Sequence, residues 1–434
     1  MPRPVKYMVG ASKREVYKPA QQGCPPQEAL PRYYYVQPLQ NTPNAFQNSS
    51  TYADFEVPAQ TGVMTEATLR FQLKFGGGGG PLPVLPSTPF WVDHIEVYIG
   101  SDLIETVWKH DIWNEEIAFR PYQELGVVAD DPSTSVPPVD EYSTYNSMID
   151  GTFPPSLILN SSGNDYWFLN LPTCLRSAKP YVRGFQSRLR FRVYFANTLD
   201  VTSPVDPTTQ TLSLNECILI VEEAQTDPVT INELERAHKQ STVDYTVLVR
   251  NRVQQTFAGG QISNGNDIQI YLRGFKNKSA GVVIYNTDAS AFNQSSSPTM
   301  NNRYEASLYQ LLDAQNNKIT ERLPVEWLQT YVFNDAVGSF STAQFDPNVS
   351  TCVIFPFSAD FKTTISKGCS YGGFRFTTLE QLVLNYAGSW NSSSGSAVLP
   401  QGIAGQPATV IITATTYDYA HITVSGGRHS FRME

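Results

Sequence analysis

The chain has 434 residues, of which 41% are hydrophobic, 12% aromatic and only 16% charged, and its formal net charge is −9. That length exceeds the size at which one hydrophobic core stops growing, so two domains of about 200 residues each are expected. With 31 basic against 40 acidic residues, wrapping of nucleic acid through counterion release is excluded for the bulk of the chain, and sequence-specific nucleic-acid binding is not expected.

The first 18 residues break the acidic balance. Arg3, Lys6, Lys13, Arg14 and Lys18 stand there against the single acid Glu15, and Pro2, Pro4, Pro19, Pro25 and Pro26 favour an extended chain. One reading is a solvated loose end. The other is an arm that docks on a neighbouring molecule or an anionic surface. The segment lacks the apolar core of a signal peptide, and no run of 18 apolar residues occurs, so synthesis in a reducing cell interior is expected.

Beyond it, period-two alternation and short apolar runs predict strands at Thr68–Phe75, Trp91–Gly100, Arg188–Phe195 and Glu216–Glu223. In RLRFRVYF, Leu189, Phe191, Val193 and Phe195 alternate with Arg188, Arg190, Arg192 and Tyr194, giving one core face and one polar face. An antiparallel sandwich suits that pattern. After the midpoint the strands continue at Asp244–Val253, Asp267–Phe275, Ala280–Asn286, Thr351–Phe357, Ala408–Tyr417 and Ala420–Gly426.

Helical signals are few. Thr230–Gln240 has a capping-box spacing, with Thr230 followed by Glu233, and Asp227-Pro228 ends the strand before it. A helix between two strand-rich halves reads as a domain junction. Shorter helices are predicted at His110–Phe119, Tyr304–Leu312 and Thr378–Leu384. Long connections of turn chemistry occupy Gly76–Pro86, Val127–Pro155, Thr198–Gln210, Asp288–Asn302, Asn334–Asn348 and Ser389–Pro407. Connections of that length are usually functional or flexible. The glycine run from Gly76 lacks the Lys-Ser/Thr of a phosphate loop.

Catalytic material is thin. The histidines His94, His110, His238, His421 and His429 form no H-E-x-x-H or H-x-H pair, and no G-x-S-x-G elbow occurs. Glu222 and Glu223 are adjacent on a predicted strand and point to opposite faces. Cys24, Cys174, Cys217, Cys352 and Cys369 are scattered and odd in number, unlike a disulfide framework or a zinc site. No catalytic residue, cofactor or metal is expected.

Five segments in order carry a resemblance: His94–Glu116, Leu169–Phe195, Ile218–Val247, Val353–Asn385 and Thr415–Met433. Together they resemble the double jelly-roll major capsid proteins of the lineage shared by nucleocytoplasmic large DNA viruses, virophages and polinton-like viruses. The resemblance implies an all-β fold of two consecutive eight-stranded jelly rolls. It places an N-terminal arm at 1–44, the first roll at 45–228, a linker helix at 229–240, and the second roll with its C-terminal tail at 241–434. It also implies a virion structural protein whose homotrimer is a pseudo-hexameric capsomer of an icosahedral shell. Neighbouring capsomers, minor capsid and vertex (penton) proteins and an internal membrane are the implied partners. Arg3, Lys6, Lys13, Arg14 and Lys18 would then reach them from the inner side, while Val127–Pro155, Asp288–Asn302 and Asn334–Asn348 would crown the outer face. The alternatives are another virion β-protein, such as a vertex protein or receptor-binding spike, or a two-domain jelly-roll carbohydrate-binding protein.

Overall fold

Alternating apolar side chains pair the strands of this chain into facing sheets. In the computed structural model, the described residues are 6–9, 14–17, 31–40, 51–76, 84–85, 88–115, 157–158, 166–196, 211–225, 228–258, 267–288, 303–304, 306–332, 335–336, 352–367, 372–376, 380–385 and 409–434. The chain opens with a hairpin of β1 (Lys6–Val9) and β2 (Arg14–Tyr17).

Then come β3 (Arg32–Val36), β4 (Tyr52–Glu56), β5 (Val63–Gly76), the two-residue β6 (Val84–Leu85), β7 (Val92–Ile99) and β8 (Asp102–Trp108). They are followed by the two-residue β9 (Leu157–Ile158), β10 (Tyr166–Asn170), β11 (Leu189–Phe195) and β12 (Thr211–Ala224). Leaving aside β6 and β9, which pair with each other, eight strands form two sheets in the orders β10-β5-β12-β3 and β4-β11-β7-β8. Lettered B to I along the chain, these are B-I-D-G and C-H-E-F, the strand order of a jelly roll.

The pattern then repeats. After the helix Pro228–Gln240 come β13 (Thr242–Ala258), β14 (Asp267–Tyr271), β15 (Lys278–Asp288), β16 (Arg303–Tyr304), β17 (Leu308–Leu312) and β18 (Leu323–Pro324). The chain closes with β19 (Val353–Pro356), β20 (Phe374–Arg375), β21 (Gln381–Asn385), β22 (Thr409–Ser425) and β23 (Arg428–Met433). Here B-I-D-G is β13-β22-β15-β19 and C-H-E-F is β14-β21-β17-β18, with β2, β16, β20 and β23 paired at the margins. The fold is two consecutive eight-stranded jelly rolls.

Register fixes which ends coincide. Thr211 opens β12 opposite Gly76, which closes β5, and Tyr166 opens β10 opposite Gln72. In the second roll Thr409 opens β22 opposite Ala258, which closes β13, and Val410 lies opposite Asp288, which closes β15. The long connections therefore join each roll at one end. Most of Val127–Pro155, Asp288–Asn302 and Asn334–Asn348 lies outside the described residues. The opposite end holds Ala224, the helix Pro228–Gln240 and Thr242. There Gln186 donates from its backbone N to Gly427 O at 2.8 Å and from Nε2 to Gly426 O at 2.9 Å, tying the two bases together. Gly426 and Gly427 have φ of 58° and 80°, as a two-residue type I′ turn between β22 and β23 requires.

Four expectations need correction. Tyr304–Leu312 contains β16 and β17, where Tyr309 and Leu311 are buried in the second core. Thr378–Leu384 overlaps β21, whose five residues are all buried. Both runs are short and mix apolar with polar residues, of which Gln310 and Gln381 are themselves buried, so neither has a period by which to tell helix from strand. The two strands expected at Ala408–Tyr417 and Ala420–Gly426 are one, with Asp418 between them buried in the sheet and accepting from Asn277 Nδ2 at 3.1 Å. Finally, β3 lies inside the segment assigned to the arm but pairs with β12, so the first roll begins before residue 45.

The cores do not follow the roll boundaries. One hydrophobic cluster joins Phe55, Leu69, Phe71, Trp91 and Phe191 of the first roll to Val243, Tyr245, Val247, Ala420, Ile422 and Val424 of the second. A separate cluster fills the second roll around Ile284, Leu311, Phe355 and Leu382.

Candidate functional site

The joint between the rolls is the most highly charged buried region described. Alternation along β13 puts Leu248, Arg250 and Arg252 on one face, and register places Tyr417 and Thr415 of β22 beside the two arginines. Against that face stand β8 and the helix Lys109–Trp113, which follows β8 without a gap. Trp108 occupies the N-cap position of this helix, and Asp111 Oδ2 accepts from its backbone N at 3.4 Å.

Arg250 is the centre of the joint. Its Nη1 donates to Glu105 Oε1 at 2.6 Å and its Nε to Glu115 Oε1 at 2.7 Å, while Nη2 donates to Glu115 and to Pro172 O. Glu105 also accepts from the backbone N of Cys174 at 2.7 Å, and Glu115 from the Tyr417 hydroxyl at 2.8 Å. Asp111 Oδ1 accepts from Thr415 Oγ1 at 3.0 Å. Arg252 lies 4.7 Å from the Trp108 ring centroid, and the His110 and Tyr285 rings are 5.2 Å apart. Each pair crosses from one roll to the other.

Burial sets the electrostatics. It pushes Glu115 up to about 7, against the pull of the Arg250 guanidinium. Asp111 is raised for the same reason, with Arg252 and Arg250 opposing. Burial works against the Arg250 cation, yet Glu115 and Glu105 hold its pKa well above the ordinary value. A cleft of about 460 Å³, bordered by Glu115, Cys174, Arg250, Lys362 and Tyr417, opens beside the cluster.

A second contact fixes the linker helix. His238 Nδ1 donates to Leu234 O at 2.8 Å, which leaves Nε2 to accept from the Tyr245 hydroxyl at 2.9 Å. Tyr245 in turn accepts from the backbone N of Tyr181 at 3.1 Å, and the Tyr181 hydroxyl donates to Glu235 at 3.1 Å. Burial lowers the His238 pKa, favouring the neutral ring this chain of bonds requires. The approach is close: a Cβ on Gly184 would stand 2.1 Å from His238 Cδ2.

Of the basic residues singled out in the sequence, Lys6 lies in β1 and Arg14 in β2, where Arg14 pairs with Val9. Arg3, Lys13 and Lys18 lie outside the described residues. Strand β2 runs parallel to the start of β13, with Val16 opposite Thr242 and Tyr17 opposite Val243, so the hairpin sits at the base beside the linker helix. Cys174, Cys217 and Cys352 are free and buried. The joint was missed in the sequence. Its one signal was Arg250 and Arg252 directly after the apolar Val247, Leu248 and Val249 of β13.

No protein-family model matches the chain. No curated protein matches it. Solved structures do. The crystal structure of PBCV-1 VP54, fitted into a cryo-EM reconstruction of the virophage Sputnik, is 12% identical, with a TM-score of 0.64 over 93% of this chain and 97% of that one. A quasi-atomic model of the PBCV-1 virus capsid gives 10% identity and a TM-score of 0.61 over the same shares. The Faustovirus major capsid protein gives 8% identity and 0.56 over 90% of each chain. Likeness over nearly the whole of each chain, with the strand order repeated in both halves, identifies a double jelly-roll protein with the fold of these viral capsid proteins.

Proposed function

We propose that the chain is the major capsid protein of an icosahedral double-stranded DNA virus, three copies of which form a pseudo-hexameric capsomer. The observation that carries this reading is the repetition of one roll twice in a single chain, with the two bases tied together through Gln186 and Gly427. Three copies would then present six similar rolls around one axis, a shape that tiles a plane. Jelly rolls bury their sheets in a sandwich and keep edges short, which suits tiling without runaway strand pairing. The role is structural. The basic N-terminal residues Arg3, Lys6, Lys13, Arg14 and Lys18 would serve on the inner side, docking a neighbouring capsomer, a minor capsid protein or an anionic membrane surface.

Light scattering and negative-stain microscopy of the purified full chain test the reading. A trimer of hexagonal outline is the expected result. A monomer at micromolar concentration with native circular dichroism would overturn it.

A further inference from the structure

The contact between the rolls of one chain has a counterpart elsewhere in the fold. In the first roll, the segment directly after strand F of the jelly roll is the helix Lys109–Trp113, which lies on the outer B-I-D-G face of the second roll through Asp111–Thr415 and His110–Tyr285. In the second roll, the segment directly after strand F (β18) is also helical, Val325–Trp327 continuing as Leu328–Val332. Its Trp327 and Tyr331 are 47% and 60% exposed, with rings stacked 4.5 Å apart and 18° from parallel. Among the described residues there is no third roll for this helix to meet.

The surface equivalent to the receiving face is the outer side of β10-β5-β12-β3 in the first roll. There Tyr33, Tyr35 and Tyr166 are 50%, 62% and 40% exposed. The Arg70 guanidinium stands 4.6 Å from the Tyr166 ring centroid and 5.8 Å from that of Tyr35, and pairs with Glu216 at 3.0 Å. Five of the nine exposed large hydrophobic residues among those described thus lie on two surfaces that correspond, by strand order, to the two sides of the internal joint. Tyr, Trp and Arg are also the residues that carry most of the energy in protein interfaces.

We propose that Trp327 and Tyr331 of one chain dock on the Tyr33, Tyr35, Arg70 and Tyr166 face of a second copy, as the intermolecular equivalent of the internal joint. The proposal rests on the capsomer reading above and names its interface. The contact is heterologous, with two different patches meeting head to tail, and such contacts close into rings when the rotation allows. Alternating internal and external joints would bring six rolls round to closure after three copies. The chemistry differs between the two joints for a physical reason. Three buried carboxylates around Arg250 can be assembled once, as the chain folds, whereas a surface that first stands in water is better built from aromatic rings and a cation that tolerate both states.

Two measurements on the full chain test this. Trp327→Ala with Tyr331→Ala should keep the native circular dichroism spectrum while raising the concentration at which trimers dissociate at least about 100-fold, as expected when two interface anchors are lost. Independently, chains carrying Tyr35→Cys mixed with chains carrying Tyr331→Cys should give, on oxidation, a disulfide-linked dimer that neither chain gives alone. A wild-type trimer whose double alanine variant dissociates at the same concentration, with no cross-link on mixing, would overturn the docking and leave the capsomer reading standing. A wild-type monomer would overturn both.

Discussion

Arg250 of the second roll and Glu105 of the first lie 2.6 Å apart, with side chains only 5% and 0% exposed, so a fully desolvated charge pair joins the two halves of the chain. Such a pair is expensive to leave half-made, because the surviving charge has no water to fall back on.

Replacing Arg250 by Met should therefore be costly. It removes the cation shared by Glu105 and Glu115 and leaves both carboxylates buried near Asp111. The expected loss is about 3–5 kcal/mol, measured by urea unfolding. A loss below about 1 kcal/mol would mean that the pair does not hold the joint.

The joint should also respond to pH, with the sign set by Glu115. Its folded pKa of about 7 lies above the ordinary 4.5, so between these values the folded protein holds a proton that the unfolded chain has released. The stability from this group is fully present below pH 4.5 and is lost as pH rises through 7. On the order of 3 kcal/mol separates the two limits. Glu115→Gln mimics the protonated carboxyl and should flatten this part of the stability profile, read as unfolding midpoint against pH.

The linker helix should show the opposite slope. Neutral His238 contributes fully above the ordinary histidine range and loses its contribution as pH falls below it, because the unfolded chain takes up the proton first. Protonation would also turn Nε2 into a donor facing the Tyr245 hydroxyl that now donates to it. The hydrogen-exchange protection factor of the peptide covering 228–240, corrected for the intrinsic pH dependence of exchange, should fall on acidification, and His238→Gln should remove that response.

Two glycines should separate crowding from backbone strain. At Gly184 an added methyl meets the His238 ring, so Gly184→Ala should cost about 1–3 kcal/mol by overpacking. At Gly426 nothing lies within 4 Å, and Gly426→Ala should cost only about 1–2 kcal/mol for its positive φ. Thermal melts of the two variants compare them directly, and a Gly184→Ala loss below about 1 kcal/mol would show that Gly184 is not a packing position.

Deleting residues 1–18 removes β1 and β2 from the second roll's sheet, yet two residue pairs tie that hairpin to β13. On the capsomer reading proposed above, the truncated chain should still fold and trimerise, while particles built from it should be fewer or break at raised salt. Normal yield and salt tolerance would reduce the basic segment to a loose end.

The sandwich strands were legible because they alternate or are flanked by turn residues, as RLRFRVYF shows in its buried Leu189, Phe191, Val193 and Phe195. The charged joint was not. Glu105 and Arg250 are 145 residues apart and each looks like an ordinary polar position on a strand. Only the folding of one roll against the other turns them into buried partners. The aromatic anchors had a similar fate: Trp327 and Tyr33 attract no notice in a chain with 12% aromatic residues until topology places them on equivalent surfaces.

The hydrophobic cluster that runs from the first roll into Val243, Tyr245 and Val247, and on to Ala420, Ile422 and Val424, bears on how the chain is made. The first half leaves the ribosome well before the last strand that completes its core. A first roll synthesised alone would expose the apolar surface that β13 and β22 cover, so a chain cut short before residue 409 stays incomplete in both halves. Interrupted translation products would then be recognised by chaperones and proteases through that exposed surface, and full-length chains alone would reach the folded state.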